Sequence, residues 1–441
     1  MKKLIFLALL LISTPALAEP KISILTWQEY SNLTTTGKIS EILIQGKMNN
    51  LASNQVMTSF SISFGSKQNI KITKVICDNK IANYSFQNNS LNITFPKEKS
   101  NNQIVAIYFS YEEKYEEISQ FLRQESIDIP SFAAGATAKV KVSFPDYLES
   151  VTLNPNITKG DNSFTYNNIV PVGGVRERIK LTSTQNVWDV SIKVKVDASN
   201  GLSNLTVILP PYFRNGGQKV ENVLTISSIE AVEESISNNN HILKFQTDQR
   251  EITIENKARI YTGRNNRTPI SRNLNDYNKF SADEQLLLSP ILEQIKRNPK
   301  YGNLPFYVKI GKFVNEFIKY DIRYMGKLPK INEILRNPVG VCTEYSRLYN
   351  SLVRVAGIPS VIIEGAACGE YDECQGHSWN MIYYNNDWIE VDPTWDLMSG
   401  VVSSSHVYFN DSDKGNISTE YFGNRNNISS KMDFLMKKSS L

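Results

Sequence analysis

From Glu19 to about Tyr261, apolar and polar residues alternate in short runs, the period of half-buried β-strands. The clearest runs are Ser59 to Phe64, Ile70 to Ile76, Ile104 to Phe109, Ala138 to Phe144, Val190 to Val196, Leu205 to Leu209 and Glu251 to Glu255. Polar clusters such as Gln87-Asn88-Asn89, Asn154-Pro155-Asn156 and Arg214-Asn215-Gly216-Gly217 lie between them and supply turn chemistry. This spacing predicts sandwich-like β modules. The region is about twice the length of one sandwich, so we divide it at Ile129-Pro130-Ser131, beyond the charged stretch Tyr111 to Glu125, into modules 19–130 and 131–265. Cys77 follows Val75 and Ile76 at the end of a predicted strand, the setting of a small buried hydrophobe.

The period changes beyond an Arg- and Asn-rich linker, Arg264 to Asn278. Ser281-Ala282-Asp283-Glu284 forms a capping box that opens a helix, and Asn298-Pro299 ends it. A second helix starts near Pro305, with Phe306, Ile310, Phe313, Val314 and Phe317 on one face. A further helix spans Val341 to Ala356. Its stripe is Tyr345, Leu348, Tyr349, Leu352 and Val353, and Gly357-Ile358-Pro359 stops it. Strands follow over Ser360 to Gly365, His377 to Tyr384 and Asp387 to Val391. The expected fold is multidomain, with N-terminal all-β sandwich-like modules ahead of an α+β domain at 275–441.

The length of 441 residues allows two to four domains, and 41% hydrophobic with 10% aromatic residues excludes a wholly disordered chain. Two of the four net positive charges are Lys2 and Lys3, so neither a nucleic-acid partner nor a polybasic membrane contact is indicated. Those lysines, the apolar run Leu4 to Ile12 and Ala16-Leu17-Ala18 compose a signal peptide, residues 1–18, cleaved before Glu19. The apolar run is about half the ~20 residues that span a bilayer. No cysteine near the cleavage site could take a lipid, and no later segment is long and apolar enough to span. A periplasmic or secreted protein without a transmembrane anchor is expected.

In an oxidising compartment Cys368 and Cys374, separated by Gly369-Glu370-Tyr371-Asp372-Glu373, are expected to form a disulfide. The rival is a metal cluster of Cys368, Cys374 and His377, for which no fourth ligand lies nearby. Cys342 stands apart at the start of the Val341 to Ala356 helix. There the unpaired N–H groups and the positive end of the helix dipole favour a thiolate and can hold an oxyanion. A two-residue turn at Asn385-Asn386 would pair Tyr384 with Asp387 and Asn380 with Val391. That register brings His377 and Asp392 to one face as diagonal neighbours, a base beside the carboxylate that orients it. A slip of one residue would separate them.

Gly340-Val341-Cys342 at a helix start, His377-x-Trp379 at a strand start and Trp388-Ile389-Glu390-Val391-Asp392-Pro393-Thr394 closely resemble the three motifs of the transglutaminase-like superfamily of papain-fold thiol enzymes, in order and spacing. The motifs lie between Tyr320 and Asp396, and the resemblance extends over roughly 275–441. It implies a catalytic triad with Cys342 as nucleophile, His377 as base and acid, and Asp392 as the orienting carboxylate. It further implies a thioester formed from a protein or peptide amide and passed to an amine or to water. No cofactor or metal is expected. A cysteine peptidase or amidase with the same triad and a non-catalytic binding protein using the β modules are the alternatives. Animal transglutaminases use an upstream tryptophan as second oxyanion donor, but no Trp lies between Trp188 and Trp379. Tyr320, Tyr324 and Asn337 are the candidates in its place. Trp379 and Trp388 are expected to pack beside the site, Asp396 and His406 to be structural or rim residues, and His241 to be incidental.

Overall fold

The computed structural model describes residues 21–64, 69–115, 119, 121–198, 205–209, 218–237, 240–246, 249–263, 274–369, 373–412, 420–422 and 428–439. The expected signal peptide, the cluster Arg214-Asn215-Gly216-Gly217 and most of the expected linker lie outside the described residues. Two compact units emerge. The first comprises Met1–Glu116, Ile127–Phe144 and Lys159–Arg176, and the second Glu117–Ser126, Pro145–Thr158 and Glu177–Leu441.

In the first unit, alternation builds a sheet whose neighbouring strands are, in order, Ser163–Ile169, Thr137–Ser143, Lys21–Leu33, Gly37–Asn49, Ile104–Lys114 and Ile70–Cys77. A smaller sheet joins Met57–Ser63, Ser90–Lys99 and Asn83–Gln87. Along Gly37–Asn49, Ser40, Ile42, Ile44 and Met48 point inward between more exposed neighbours, as period-two patterning requires. Cys77 is fully buried, and burial pushes its thiol up to about 11.

The expected division at 130 does not separate two modules. Thr137–Ser143 runs parallel to Lys21–Leu33, with Trp27 opposite Ala138, and Ser163–Ile169 extends the same sheet. A parallel pairing between residues so distant in sequence leaves no mark on local periodicity. The boundary expected at 265–275 is crossed as well. Ile428–Lys438 pairs with Gln185–Ala198, setting Val190 opposite Met436, so the later β segments and the helical part form one unit.

That unit holds four α-helices among its described residues. They are α1 (Ala282–Arg297), α2 (Phe306–Phe317), the short α3 (Ile331–Arg336), and α4 (Cys342–Val355). The capping box at α1 is complete, since Ser281 Oγ accepts the Glu284 N–H at 3.1 Å and Glu284 Oε2 accepts the Ser281 N–H at 2.9 Å. Leu348, Tyr349, Leu352 and Val353 of α4 are fully buried against Ile310 and Val314 of α2. Each such burial is worth roughly 1.5–3 kcal/mol.

The sheet that carries the site has the order Asp387–Val391, Cys374–Tyr384, Ser360–Cys368, Val407–Ser412. Ile382 and Val391 join the core of the helices, whereas Ala366, Cys368, Val407 and Phe409 join a second core with Trp188, Val190 and Ile192. By their pairing Ile382, Val391, Ala366, Cys368 and Val407 share one face of the sheet, and Val361, Ile363, Trp379 and Met381 form a further core on the other. Asn385 and Asn386 both have positive φ, 50° and 63°, as a type I′ turn demands, and the strands pair as expected, Tyr384 with Asp387 and Asn380 with Val391. Among the described residues, no helix is long and apolar enough to cross a membrane.

Candidate active site

The hairpin register decides the first contact of the site. Asp392 follows the last paired residue, Val391, and its Oδ2 lies 2.9 Å from His377 Nε2. A tight turn holds the carboxylate from behind, because the N–H groups of Thr394 and Trp395 donate to Oδ1 at 2.8 and 3.3 Å. Burial works against the charge of Asp392. His377 and His406 outweigh it and hold the carboxyl far below the usual carboxylate range.

Cys342 is the first residue of α4, after the N-cap Val341. The end of the helix is braced by Glu344, whose buried carboxylate accepts the Val341 N–H at 2.7 Å. Gly340 is required here because a Cβ on it would lie 2.5 Å from the Glu344 Cβ. Ser346 Oγ of α4 donates to the Ser378 carbonyl at 2.8 Å, and Asn380 Nδ2 donates to the Ser346 carbonyl at 3.1 Å, fixing the helix to the histidine strand. The Cys342 sulfur consequently bonds to the His377 side chain and to the Ser378 N–H. With Nε2 committed to Asp392, Nδ1 is the nitrogen left for the sulfur.

The electrostatics follow this geometry. Burial would raise the Cys342 thiol, yet the bond to His377, its charge and the Ser378 N–H bring it below its ordinary value. Burial would likewise suppress the imidazolium of His377. Asp392 reverses that by charge and hydrogen bond, and with Cys342 lifts it to about 10. Both shifts favour the thiolate and imidazolium forms of the pair. Trp395 stacks on the His377 ring at 4.4 Å, and Trp379 lies parallel to it at 6.1 Å.

Sequence reasoning missed two members of this cluster. His406 was expected to be structural or on the rim, but its Nε2 lies 3.3 Å from Asp392 Oδ2, while Nδ1 lies 3.1 Å from the Ser403 carbonyl. A neutral imidazole has one proton to offer, so it serves one of these acceptors at a time. Burial lowers the pKa of His406 against the pull of Asp392. Trp395 stands just past the Pro393-Thr394 end of the third motif, and that proximity was its signal. The ligand-type atoms of His377, Asp392 and His406 lie within 4.8 Å of one another. The distances around Asp392 Oδ2 are those of hydrogen bonds, satisfied by imidazole protons.

Of the candidate oxyanion donors, Tyr324 and Asn337 are tied to each other, Asn337 Nδ2 donating to Tyr324 Oη at 2.6 Å. Tyr320 is held differently. Lys319–Tyr320 pairs in parallel with Val339–Gly340, setting Tyr320 opposite Gly340, two residues before Cys342. Its hydroxyl bonds the Gln375 side chain, and burial, then the nearby Cys342, raises its pKa. Trp388 packs in a core with Trp379, as expected. Asp396 pairs with Lys312 at 3.0 Å, and His241 lies in the strand Asn240–Phe245. Cys368 and Cys374 are joined as a disulfide, so the metal cluster of Cys368, Cys374 and His377 is excluded. Replacing both cysteines by serine is expected to cost about 2 kcal/mol for so short a loop, measurable by denaturant unfolding.

Residues 293–393 match the profile of the transglutaminase-like superfamily. No curated protein matches the chain. Among solved structures, a proposed cysteine protease from Cytophaga hutchinsonii is 14% identical, with a TM-score of 0.44, over 59% of this chain and 92% of its own. An M1 zinc metallopeptidase from Deinococcus radiodurans is 8% identical, with a TM-score of 0.25, over 38% of this chain and 43% of its own. Leukotriene A4 hydrolase from Saccharomyces cerevisiae is 9% identical, with a TM-score of 0.26, over 38% of this chain and 30% of its own.

Proposed function

We propose, on the premise that residues 293–393 form a transglutaminase-like domain, that this chain is an exported thiol enzyme acting on amide bonds of a protein or peptide. The observation that carries the reading is the unbroken line from the Cys342 sulfur through His377 to Asp392, at the N-terminus of α4. The thiolate of Cys342 attacks the amide carbonyl carbon, and the carbonyl oxygen takes the electron pair. His377 then protonates the departing nitrogen, and a thioester remains on Cys342. In the second half, His377 accepts a proton from an incoming amine or water as it attacks the thioester. The thiolate leaves, and the product is a new amide or an acid. Asp392 keeps the imidazole in its orientation and stabilises its charge. The Cys368–Cys374 disulfide fits an oxidising compartment outside the cytoplasm.

In this reading, the oxyanion is held by the Cys342 N–H and the Tyr320 hydroxyl, which takes the place of the tryptophan in animal transglutaminases. Tyr320→Phe is expected to lower kcat about 100-fold with little change in KM. The melting temperature should barely move, because Tyr320 is 44% exposed. Steady-state kinetics of the two proteins, with thermal unfolding, checks this.

Incubation of the mature protein with cell-envelope extract and a labelled amine distinguishes transfer from hydrolysis. Label appearing in a protein or peptide identifies an acyltransferase, and release of amine or ammonia without label identifies a cysteine peptidase or amidase. Neither product above the level of a Cys342→Ala control would leave the chain a binding protein.

A further inference from the structure

The first unit contains a partly open cavity of about 820 Å³, within the range of small-molecule sites. Trp27, Ile62, Phe64 and Phe109 supply apolar wall, and Glu29 and Lys38 stand in the same lining. Glu29 and Lys38 occupy inward positions of Lys21–Leu33 and Gly37–Asn49 and are only 4% and 5% exposed. Charged residues so deeply buried normally find full hydrogen bonding. These do not. The Lys38 Nζ to Glu29 Oε1 distance is 3.7 Å, longer than a hydrogen bond, and the Lys38 ammonium makes no other polar contact among the described residues. Ser31 Oγ donates to Glu29 Oε1 at 2.9 Å, which leaves Oε2 without a donor among the described residues. Trp27, two positions before Glu29 on the same face, lends its ring to the wall, while its indole N–H is buried and makes no hydrogen bond among the described residues.

We infer that this cavity binds a short apolar peptide, recognised through its backbone amides. A donor, Lys38 Nζ, and an acceptor, Glu29 Oε2, line one chamber. A peptide unit offers the complementary carbonyl and N–H together, and its apolar side chains suit the aromatic and aliphatic wall. The lysine and glutamate charges cancel, as do those of Arg176 and Asp128 in the same lining, paired at 3.0 Å, so neither an anion nor a cation gains a net attraction. A fatty-acid carboxylate would satisfy Lys38 while leaving Glu29 unpaired and facing a like charge. The inference does not depend on the chemistry at Cys342.

Calorimetric titration of the full-length protein and its full-length Cys342→Ala variant with blocked apolar tetrapeptides such as acetyl-Ala-Leu-Leu-Phe-amide tests it. Saturable binding, equal in the two proteins, is expected. Failure of the thiol chemistry would leave that result untouched. Glu29→Gln keeps the side-chain shape but turns half of its acceptor capacity into a donor, and it should weaken binding about tenfold, the worth of one hydrogen bond. Should that variant fold poorly, wild-type protein with the backbone N-methylated peptide, which lacks the N–H groups, should show at least a similar loss. Absence of binding across the peptide panel, N-methylated peptide binding as tightly as the parent, or dodecanoate binding more tightly than either would overturn the proposal.

Discussion

Cys342→Ala is expected to lower kcat by about 10⁴- to 10⁶-fold, the scale on which removal of a nucleophile leaves only binding and oxyanion stabilisation. The fold should survive. Cys342 is half-buried at a helix terminus, alanine is a good helix former, and Val341, Glu344 and Ser346 brace α4 without the sulfur. The stability cost should be about 1 kcal/mol, the worth of the thiol's hydrogen bonding. Turnover assays beside thermal unfolding separate the two effects. Activity equal to wild type would remove the basis for the mechanism.

Asp392→Asn should be nearly as damaging to turnover, by about 10⁴-fold, and far more damaging to the fold. The carboxylate accepts from two imidazoles and two backbone N–H groups. An amide of the same shape has one acceptor oxygen and turns an N–H₂ group toward one of those donors. His377 would lose the partner that lifts its pKa while keeping the burial that opposes its charge, so it would become neutral. Breaking a buried ionic network of this kind costs about 3–5 kcal/mol. The pH dependence of stability should change with it. In wild type the pKa of His377 is raised from 6.5 to about 10, so its contribution is full below 6.5 and lost as pH climbs through 10. The pKa of Asp392 is depressed, so its contribution is present above its ordinary 3.8 and lost as pH falls below it. Cys342 is also depressed, so its contribution grows as pH rises toward 9.0. In Asp392→Asn the acid limb from Asp392 should disappear and the alkaline limb from His377 should shrink. Denaturant unfolding from pH 3 to 10 measures both.

The site was legible where local chemistry sets geometry. Two asparagines that tolerate positive φ fix a two-residue turn, the turn fixes the register, and the register puts His377 beside Asp392. In the same way the apolar stripe of α4 and Gly357 delimit a helix whose first residue is Cys342. His406 was out of reach because it enters through Val407–Ser412, a strand whose pairing with Ser360–Cys368 is a long-range event with no local signature. The division at 130 failed for the same reason, since Thr137–Ser143 returns to Lys21–Leu33 across more than a hundred residues. Glu29 and Lys38 carry no local sign of their burial, and only the structure turns them inward. Tyr320 could not be told from Tyr324 and Asn337 until its pairing opposite Gly340 and the bond between the other two were visible.

The central claim, that Cys342 is a thiolate held by His377, is tested most directly by the pH dependence of its alkylation, which needs no knowledge of the substrate. Iodoacetamide labelling, followed by peptide mass mapping, should modify Cys342 fast and at a nearly constant rate well below the range where an ordinary thiol ionises. His377→Ala should move that limb to higher pH, because burial would then act on the thiol without its partner. Cys77, buried and pushed up to about 11, is the internal control and should stay unlabelled. A Cys342 profile that rises only through the ordinary thiol range, unchanged by His377→Ala, would contradict the account.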